Sequence, residues 1–179
     1  MTANYNIRTH RPGDMGLIIH QHATLYKQLV GWDPSFEADV ARTTLDFLDN
    51  FDPNLERAFI VESVGTSEFL GSVAVLKHRK EASTAHLRFL LVDPAVRGVG
   101  LGSKLIDECV RFARECGYAK IVLWTYSALG GARRLYERAG FVVASTEEQE
   151  CWGVRMNSET WELSLSDTDG QSTEGYRDS

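Results

Sequence analysis

The stretch Leu90-Leu91-Val92-Asp93-Pro94-Ala95-Val96-Arg97-Gly98-Val99-Gly100-Leu101-Gly102-Ser103 decides how this chain is read. An apolar run reads as a buried strand that ends at Asp93-Pro94, a loop follows with glycines at alternate positions, and an amphipathic helix begins at once. Glycines let a backbone approach a ligand and take conformations closed to other residues. A helix start adds unpaired N–H groups and the positive end of its dipole, which together form an anion site. Arg97 contributes a formal charge. Phosphate or pyrophosphate is the ligand this arrangement calls for. Spacing excludes the two common nucleotide loops. A mononucleotide P-loop needs Gly-Lys-Ser/Thr, whereas Lys104 follows Ser103 and precedes Leu105, and a dinucleotide Gly-x-Gly-x-x-Gly needs its third glycine one residue beyond Gly102.

Upstream, Tyr5 to Arg11 reads as a short extended segment. Asp14 is placed to cap a helix carrying Ile18, His22, Leu25 and Leu29 at helical spacing, closing near Gly31. Ser35 starts a second helix with Val40, Thr44, Phe47, Leu48 and Phe51 on one face, stopped by Asp52-Pro53-Asn54. Three strand-like runs follow, at 58–62, 69–76 and 84–92, joined by Gly65-Thr66-Ser67 and a charged stretch at 78–81. Downstream, a helix over about 100–116 points Leu105, Ile106, Cys109, Phe112 and Ala113 inward and stops at Gly117. A buried strand at 121–125, a helix at 128–139, a strand at 141–145, a loop at 145–158 and a closing edge strand at 160–165 complete the pattern. Strands on both sides of helices make the fold α/β or α+β, a mixed central sheet covered by helices.

The chain has 179 residues, enough for one domain, at 1–165. The segment 166–179 holds four acids (Asp167, Asp169, Glu174, Asp178) against Arg177 and no aliphatic residue, so it reads as an acidic disordered tail of net charge −3. The whole chain carries −6, which argues against phosphate-backbone binding and hence nucleic acid. No apolar run reaches the roughly 18–20 residues needed to span a bilayer, and Met1 to Tyr5 lacks the basic start and apolar stretch of a signal peptide. The three cysteines, an odd number, do not describe a disulfide framework. Cys109 and Cys116, about 10.5 Å apart along one helix, cannot bridge. Reduced thiols and a cytoplasmic location are expected. No His/Cys/Asp spacing suggests a metal.

The loop Arg97-Gly98-Val99-Gly100-Leu101-Gly102 fits the pattern Arg/Gln-x-x-Gly-x-Gly/Ala, and Tyr136-Glu137-Arg138-Ala139-Gly140-Phe141 fits a later helix-to-strand segment, Tyr-Glu-x-x-Gly-Phe. In these motifs and their order the chain resembles the GNAT acetyltransferase superfamily, strongly over 87–141 and by order of elements elsewhere. Phrases such as Val110-Arg111-Phe112-Ala113-Arg114, Leu123-Trp124-Thr125 and Thr160-Trp161-Glu162-Leu163 are similar to the acetyltransferase domains of fusions with MarR-type regulators.

The resemblance implies an acetyl-CoA-dependent N-acetyltransferase acting on a primary amine, with a V-shaped splay between the fourth and fifth strands. It implies that Gly98, Val99, Gly100, Leu101, Gly102 and Ser103 hold the pyrophosphate of acetyl-CoA, helped by Arg97. Leu90, Leu91 and Val92 would pair with the pantetheine arm, with Ala132 and Arg133 near the cofactor. Tyr136 would lie near the departing sulfur; an ordinary tyrosine pKa near 10 suits a proton donor to a thiolate. A backbone N–H of Leu91 or Val92 would polarise the thioester carbonyl. Dimers through the last strands are frequent among such proteins.

The chain departs from the family where relatives carry a carboxylate base. By alternation the strand before the loop turns His86, Arg88, Leu90 and Val92 to one face, so His86 is the candidate base, or else a partly exposed histidine without a role. Glu62 and Glu147 are other carboxylates considered for reach. Arg88 pairs with an acidic group on the acceptor or with a structural carboxylate. Trp124 and Tyr126 are placed to line the acceptor site, as is Trp32 in the turn between the first two helices. Relatives often have Asn where Leu129 stands. His22, on an apolar helix face, reads as a packed histidine. The rival readings are a non-catalytic acyl-CoA-binding sensor and an acetyltransferase of protein lysines or N-termini.

Overall fold

The computed structural model describes residues 4–166, so the expected tail lies outside the described residues except for Ser166. In chain order the elements are β1 (Tyr5–Thr9), α1 (Asp14–Val30), α2 (Pro34–Asp49), β2 (Arg57–Ser63), β3 (Phe69–Lys77), β4 (Thr84–Val92), α3 (Leu101–Glu115), β5 (Lys120–Tyr126), α4 (Gly130–Arg138), β6 (Val142–Cys151) and β7 (Val154–Ser164). A 3-10 turn, Pro94–Val96, stands between β4 and the glycine loop, with the Asp93 carboxylate accepting from the Ala95 N–H at 2.8 Å.

The seven strands form one sheet in the order β1-β2-β3-β4-β5-β7-β6, antiparallel except for the parallel pair β4–β5. Each face buries a separate core. On one, α3 sets Leu101, Leu105, Ile106, Cys109, Phe112 and Ala113 against Val73, Val75, Leu87, Ile121 and Trp161, and Tyr136 of α4 joins them. On the other, Met15 and Ile18 of α1 and Phe36, Val40 and Phe47 of α2 cover Ala58, Ile60, Ala74 and Leu76. Spacings of three and four residues put these side chains on single helix stripes, and fully burying each large one stabilises the fold by roughly 1.5–3 kcal/mol.

Between β4 and β5 the sheet opens. The two strands pair only at Thr84↔Lys120, Ala85↔Ile121 and His86↔Val122. Past that point β4 follows β3 as far as Gly71↔Val92, and β5 follows β7 as far as Tyr126↔Ser158. The result is the V-shaped gap expected between the fourth and fifth strands. Strand β4 also carries a bulge: Ser72 faces Leu91 and Ala74 faces Arg88, so Phe89 and Leu90 together oppose Val73. Phe89 adopts φ 58°, left-handed backbone that is costly for a bulky residue, and the Ser72 hydroxyl donates to its carbonyl at 2.7 Å.

The bulge corrects the expected alternation. Phe89 packs with the core under α1 and α2, whereas Leu90 and Val92 pack with the core under α3. His86, Arg88, Leu90 and Val92 therefore do not share a face, because one extra residue reverses the period-two pattern. Two other expectations change. Gly13 rather than Asp14 caps α1, and Asp14 sits inside the first turn, accepting from Arg8 at 2.6 Å and the Arg11 N–H at 2.5 Å. The supposed loop at 145–158 is a long hairpin: Trp152 (φ 50°) and Gly153 (φ 80°) form a two-residue turn, and β7 lies inside the sheet while β6 forms its edge.

Candidate active site

Two hollows meet at the V. The larger, about 1370 Å³ counting its open mouth, is lined by the end of β4 (Leu90, Leu91, Val92), the loop residues Arg97, Gly98 and Gly100, and the helix start Leu101, Gly102 and Ser103. Leu25, Tyr26 and Leu29 of α1 form one wall, and Ala132, Arg134, Leu135 and Arg138 of α4 the other. Gly98 and Gly100 adopt φ 84° and 82°, which turns the loop tightly enough for the helix to begin without a side-chain cap. The first amides of this 15-residue helix thus face the cleft with the positive end of its dipole. Three arginines and no carboxylate line the cleft, so it is locally cationic although the chain is acidic overall. A built-on Cβ at Gly102 would lie 2.7 Å from Leu135 Cδ1, so a side chain here requires Leu135 to move.

The smaller hollow, about 790 Å³ with its open mouth, passes through the V itself, between Leu87–Leu90 of β4 and Leu123–Tyr126 of β5. Tyr26, Leu90, Leu129 and Ala132 line both hollows and make them continuous. Its far wall is aromatic. Trp32 stacks on Tyr26 at 4.7 Å and 16°, and packs at 4.6 Å on Phe36, 5.0 Å on Tyr126 and 4.5 Å on Trp152. The β6–β7 turn closes this wall: the Trp152 indole N–H donates to Asp39 Oδ2 at 2.6 Å, and its carbonyl accepts from the Asp33 N–H at 3.0 Å.

Tyr136 lines the smaller hollow, packed against Phe141 and Trp161. Burial, with Tyr26 and Cys109 nearby, pushes its pKa up, so the hydroxyl stays protonated and able to donate. Arg88 also lines the acceptor-side cavity. Its Nη2 donates to Thr43 Oγ1 at 3.0 Å, and among the described residues no carboxylate forms an ion pair with it. Burial lowers its pKa, and the charges of Asp39 and Tyr126 act the other way.

The expected site residues divide cleanly. Trp32, Arg88, Trp124, Tyr126 and Tyr136 come together in one cavity. Leu90, Leu91, Val92, Arg97, Gly98, Gly100, Leu101, Gly102, Ser103 and Ala132 line the cleft. Three residues fall elsewhere. Val99 lies off the lining and is 48% exposed. Arg133 donates from Nε to Glu159 Oε2 at 3.0 Å and lines neither hollow, whereas its neighbour Arg134 lines the cleft. His86 sits at the closed end of the V beside His78, also outside both linings, and burial brings its pKa down to about 3. Of the two carboxylates, Glu62 is paired with Arg8 at 2.7 Å and Glu147 is exposed on β6.

Sequence reasoning missed Tyr26, Phe36, Asp39 and Trp152, which line the acceptor side. It also gave His22 no site role, yet this histidine lines the cavity. The His22 Nδ1 lies 2.8 Å from the Ile18 carbonyl, which assigns its proton to Nδ1 and leaves Nε2 as an acceptor; burial lowers its pKa to about 4. Tyr26 stands four residues after His22 on the same face of α1, a signal that was readable. Among the described residues there is no group of three or more His, Cys, Asp or Glu that could hold a metal, and no helix long and apolar enough to cross a membrane.

With a glycine loop opening a helix and a splayed parallel pair beside it, the chain belongs to the Acetyltransferase (GNAT) family, whose model matches residues 23–141. It is similar to the mycothiol acetyltransferase of Mycobacteroides abscessus, with 31% identity over 117 residues, 65% of this chain and 37% of that protein. The chain therefore matches only about a third of that curated relative's length. Among solved structures, the yncA protein of Salmonella typhimurium, with its cofactor acetyl-CoA, superposes with TM-score 0.70 at 20% identity, covering 95% of this chain and 99% of that one. The spermidine N-acetyltransferase of Vibrio cholerae, in complex with CoA and spermine, superposes with TM-score 0.64 at 18% identity over 90% and 95% of the chains.

Proposed function

We propose that the protein is an acetyl-CoA-dependent N-acetyltransferase that acetylates the primary amine of a small molecule by direct attack. The observation that carries this reading is the meeting of the cationic cleft and the aromatic cavity through the V, joined at Tyr26, Leu90, Leu129 and Ala132, with Tyr136 lining the aromatic side. The cleft fits acetyl-CoA: its glycine loop and helix start suit a pyrophosphate, Arg97, Arg134 and Arg138 add charge, and its apolar floor on β4 suits an extended arm. When bound there, acetyl-CoA supplies an activated acetyl thioester.

The chain's own groups do the rest. Beyond His86 the β5-facing edge of β4 has no strand partner, so its backbone N–H groups, those of Leu91 or Val92 foremost, are available to polarise the carbonyl. The acceptor amine, entering from the aromatic side, attacks in its neutral form. Tyr136 gives its proton to the departing sulfur. For the amine's own proton, His22 is the histidine inside the cavity, as a hydrogen-bond acceptor through Nε2, while His86 reaches it only through intervening groups or water. With pKa values near 4 and 3 both are weak bases, so most of the deprotonation falls to solvent.

A non-catalytic sensor needs the cleft but no second cavity, so the aromatic hollow favours the transferase. The free thiols Cys109, Cys116 and Cys151 support the cytoplasmic reading. The outward-facing edge strand β6, with Val142 and Val143 exposed, supports pairing with a second copy, which light scattering in solution would decide. The test of the activity is calorimetric titration with acetyl-CoA followed by release of CoA thiol on adding small amines. Tyr136→Phe should lower turnover about 10²-fold while leaving acetyl-CoA affinity within about threefold. Equal turnover by the variant would remove Tyr136 from the chemistry, and failure to bind acetyl-CoA would remove the activity.

A further inference from the structure

The acceptor cavity combines an aromatic wall with one cation, Arg88, that forms no ion pair among the described residues. Arg88 projects into it from β4 with a single hydrogen bond, to Thr43, and no ion pair among the described residues. The cavity's one carboxylate, Asp39, is already engaged: Oδ1 accepts from Arg42 at 2.5 Å and Oδ2 from the Trp152 indole at 2.6 Å. The Trp32 indole N–H, buried in the same wall, has no hydrogen-bond partner among the described residues. The Arg88 guanidinium and the Trp32 indole thus both have donor capacity to spare, and a partly buried guanidinium without an ion pair is costly unless a ligand supplies one.

A polyamine would bring further positive charge to a cavity that already holds an uncompensated cation. An amine lacking any anion would leave Arg88 as it is. The planar fork of a guanidinium matches a carboxylate with two parallel hydrogen bonds. Arg88 lines the same hollow as Leu90, which also lines the cleft, so one small molecule can set its anion on Arg88 and its amine toward the V. The wall built from Tyr26, Trp32, Phe36, Trp124 and Trp152 suits an apolar or aromatic side chain.

We propose that the acceptor is an α-amino acid, or a close analogue, with a large apolar or aromatic side chain, whose carboxylate is held by Arg88. This rests on the acetyltransferase reading and names its substrate class.

The experiment uses the full chain with acetyl-CoA and two sets of acceptors. L-Phenylalanine, L-tryptophan and L-methionine form one set, and 2-phenylethylamine, tryptamine and spermidine the other. CoA-thiol release gives kcat/KM. Quenching of the tryptophan fluorescence of the cavity wall gives acceptor binding without turnover. Wild type should favour the carboxylate-bearing members of matched pairs by about 10²-fold or more, and Arg88→Met should erase that preference while leaving acetyl-CoA affinity unchanged. Arg88→Lys, which keeps the charge but loses the fork, should retain part of it. The proposal is overturned if the decarboxylated amines react as well as the amino acids, or if Arg88→Met lowers both sets alike. It is equally overturned if acetyl-CoA binds and no amino acid is accepted. The wild-type comparison needs no variant to fold. A failure to bind acetyl-CoA is a different result, since it removes the transferase reading itself.

Discussion

Replacing Gly102 by alanine is expected to strain the contact between α3 and α4, and the strain should be relieved by shortening Leu135. The added methyl would sit 2.7 Å from Leu135 Cδ1 and 3.5 Å from Cδ2, well inside the 3.5–4.0 Å of a comfortable carbon–carbon contact. Overpacking of this kind costs roughly 1–3 kcal/mol, against which the better helix propensity of alanine returns at most about 1 kcal/mol. Gly102→Ala should therefore destabilise by about 1 kcal/mol. Leu135→Ala removes the atoms that clash, so the double variant should be more stable than the sum of the singles by about 1–2 kcal/mol. Gly100→Ala is the control. Its methyl would meet nothing within 4 Å, and its penalty comes from φ +82° alone, so it should add independently to Leu135→Ala. Urea unfolding of the five variants and wild type, read as midpoint and slope, measures all of this. If Gly102→Ala and Leu135→Ala add within about 0.5 kcal/mol, the close approach is not what the glycine provides.

Two further outcomes follow from burial and from the hairpin. Desolvation holds His22 to a pKa of about 4 and His86 to about 3, both below the 6.5 of an unfolded chain. Between those values the unfolded state binds more protons. Stability is therefore full above pH 6.5 and falls on acidification, by up to about 1.4 kcal/mol per pH unit for each histidine. Urea midpoints at pH 7.5 and 5.0 should differ accordingly, and His86→Gln should narrow the difference; a variant with the same pH dependence as wild type would refute the assignment. Trp152→Ala removes the hydrogen bond to Asp39 and the ring contacts with Trp32 and Phe36, so the acceptor KM should rise at least about tenfold while acetyl-CoA affinity holds. A loss of acetyl-CoA binding in that variant would show that the two hollows are not separable.

The donor side was legible in the sequence because it is local. A pyrophosphate site needs backbone amides, a helix start and glycines, and all of these lie within Arg97–Ser103 in the order in which they act. The acceptor side was legible only in part. Trp32, Arg88, Trp124 and Tyr126 were placed there individually, but Tyr26, Phe36 and Trp152 join them only once the chain has folded, from the two helices and from a turn more than a hundred residues beyond the first. The bulge at Phe89 left no trace because a phenylalanine is an unexpected residue for left-handed backbone. Strand β6 was read as a strand only to Ser145 and as a loop beyond it, because nearly all of its residues face water, which removes the apolar alternation by which a strand is recognised. Its signal lay in the turn, where Trp152-Gly153 supplies a glycine at the second central position.

The two-residue turn at Trp152-Gly153 has a bearing on how such a protein diversifies. It hangs at the far end of a hairpin whose outer strand faces solvent along most of its length, and Cys151, Trp152 and Val154 at its tip pack on the core under α1 and α2 but not on the one under α3. Yet that tip supplies part of the acceptor wall and latches it to α2 through Asp39. On the proposed function, editing this tip would reshape the acceptor wall together with the core under α1 and α2, while the cleft on β4 and the start of α3 would be left as it is.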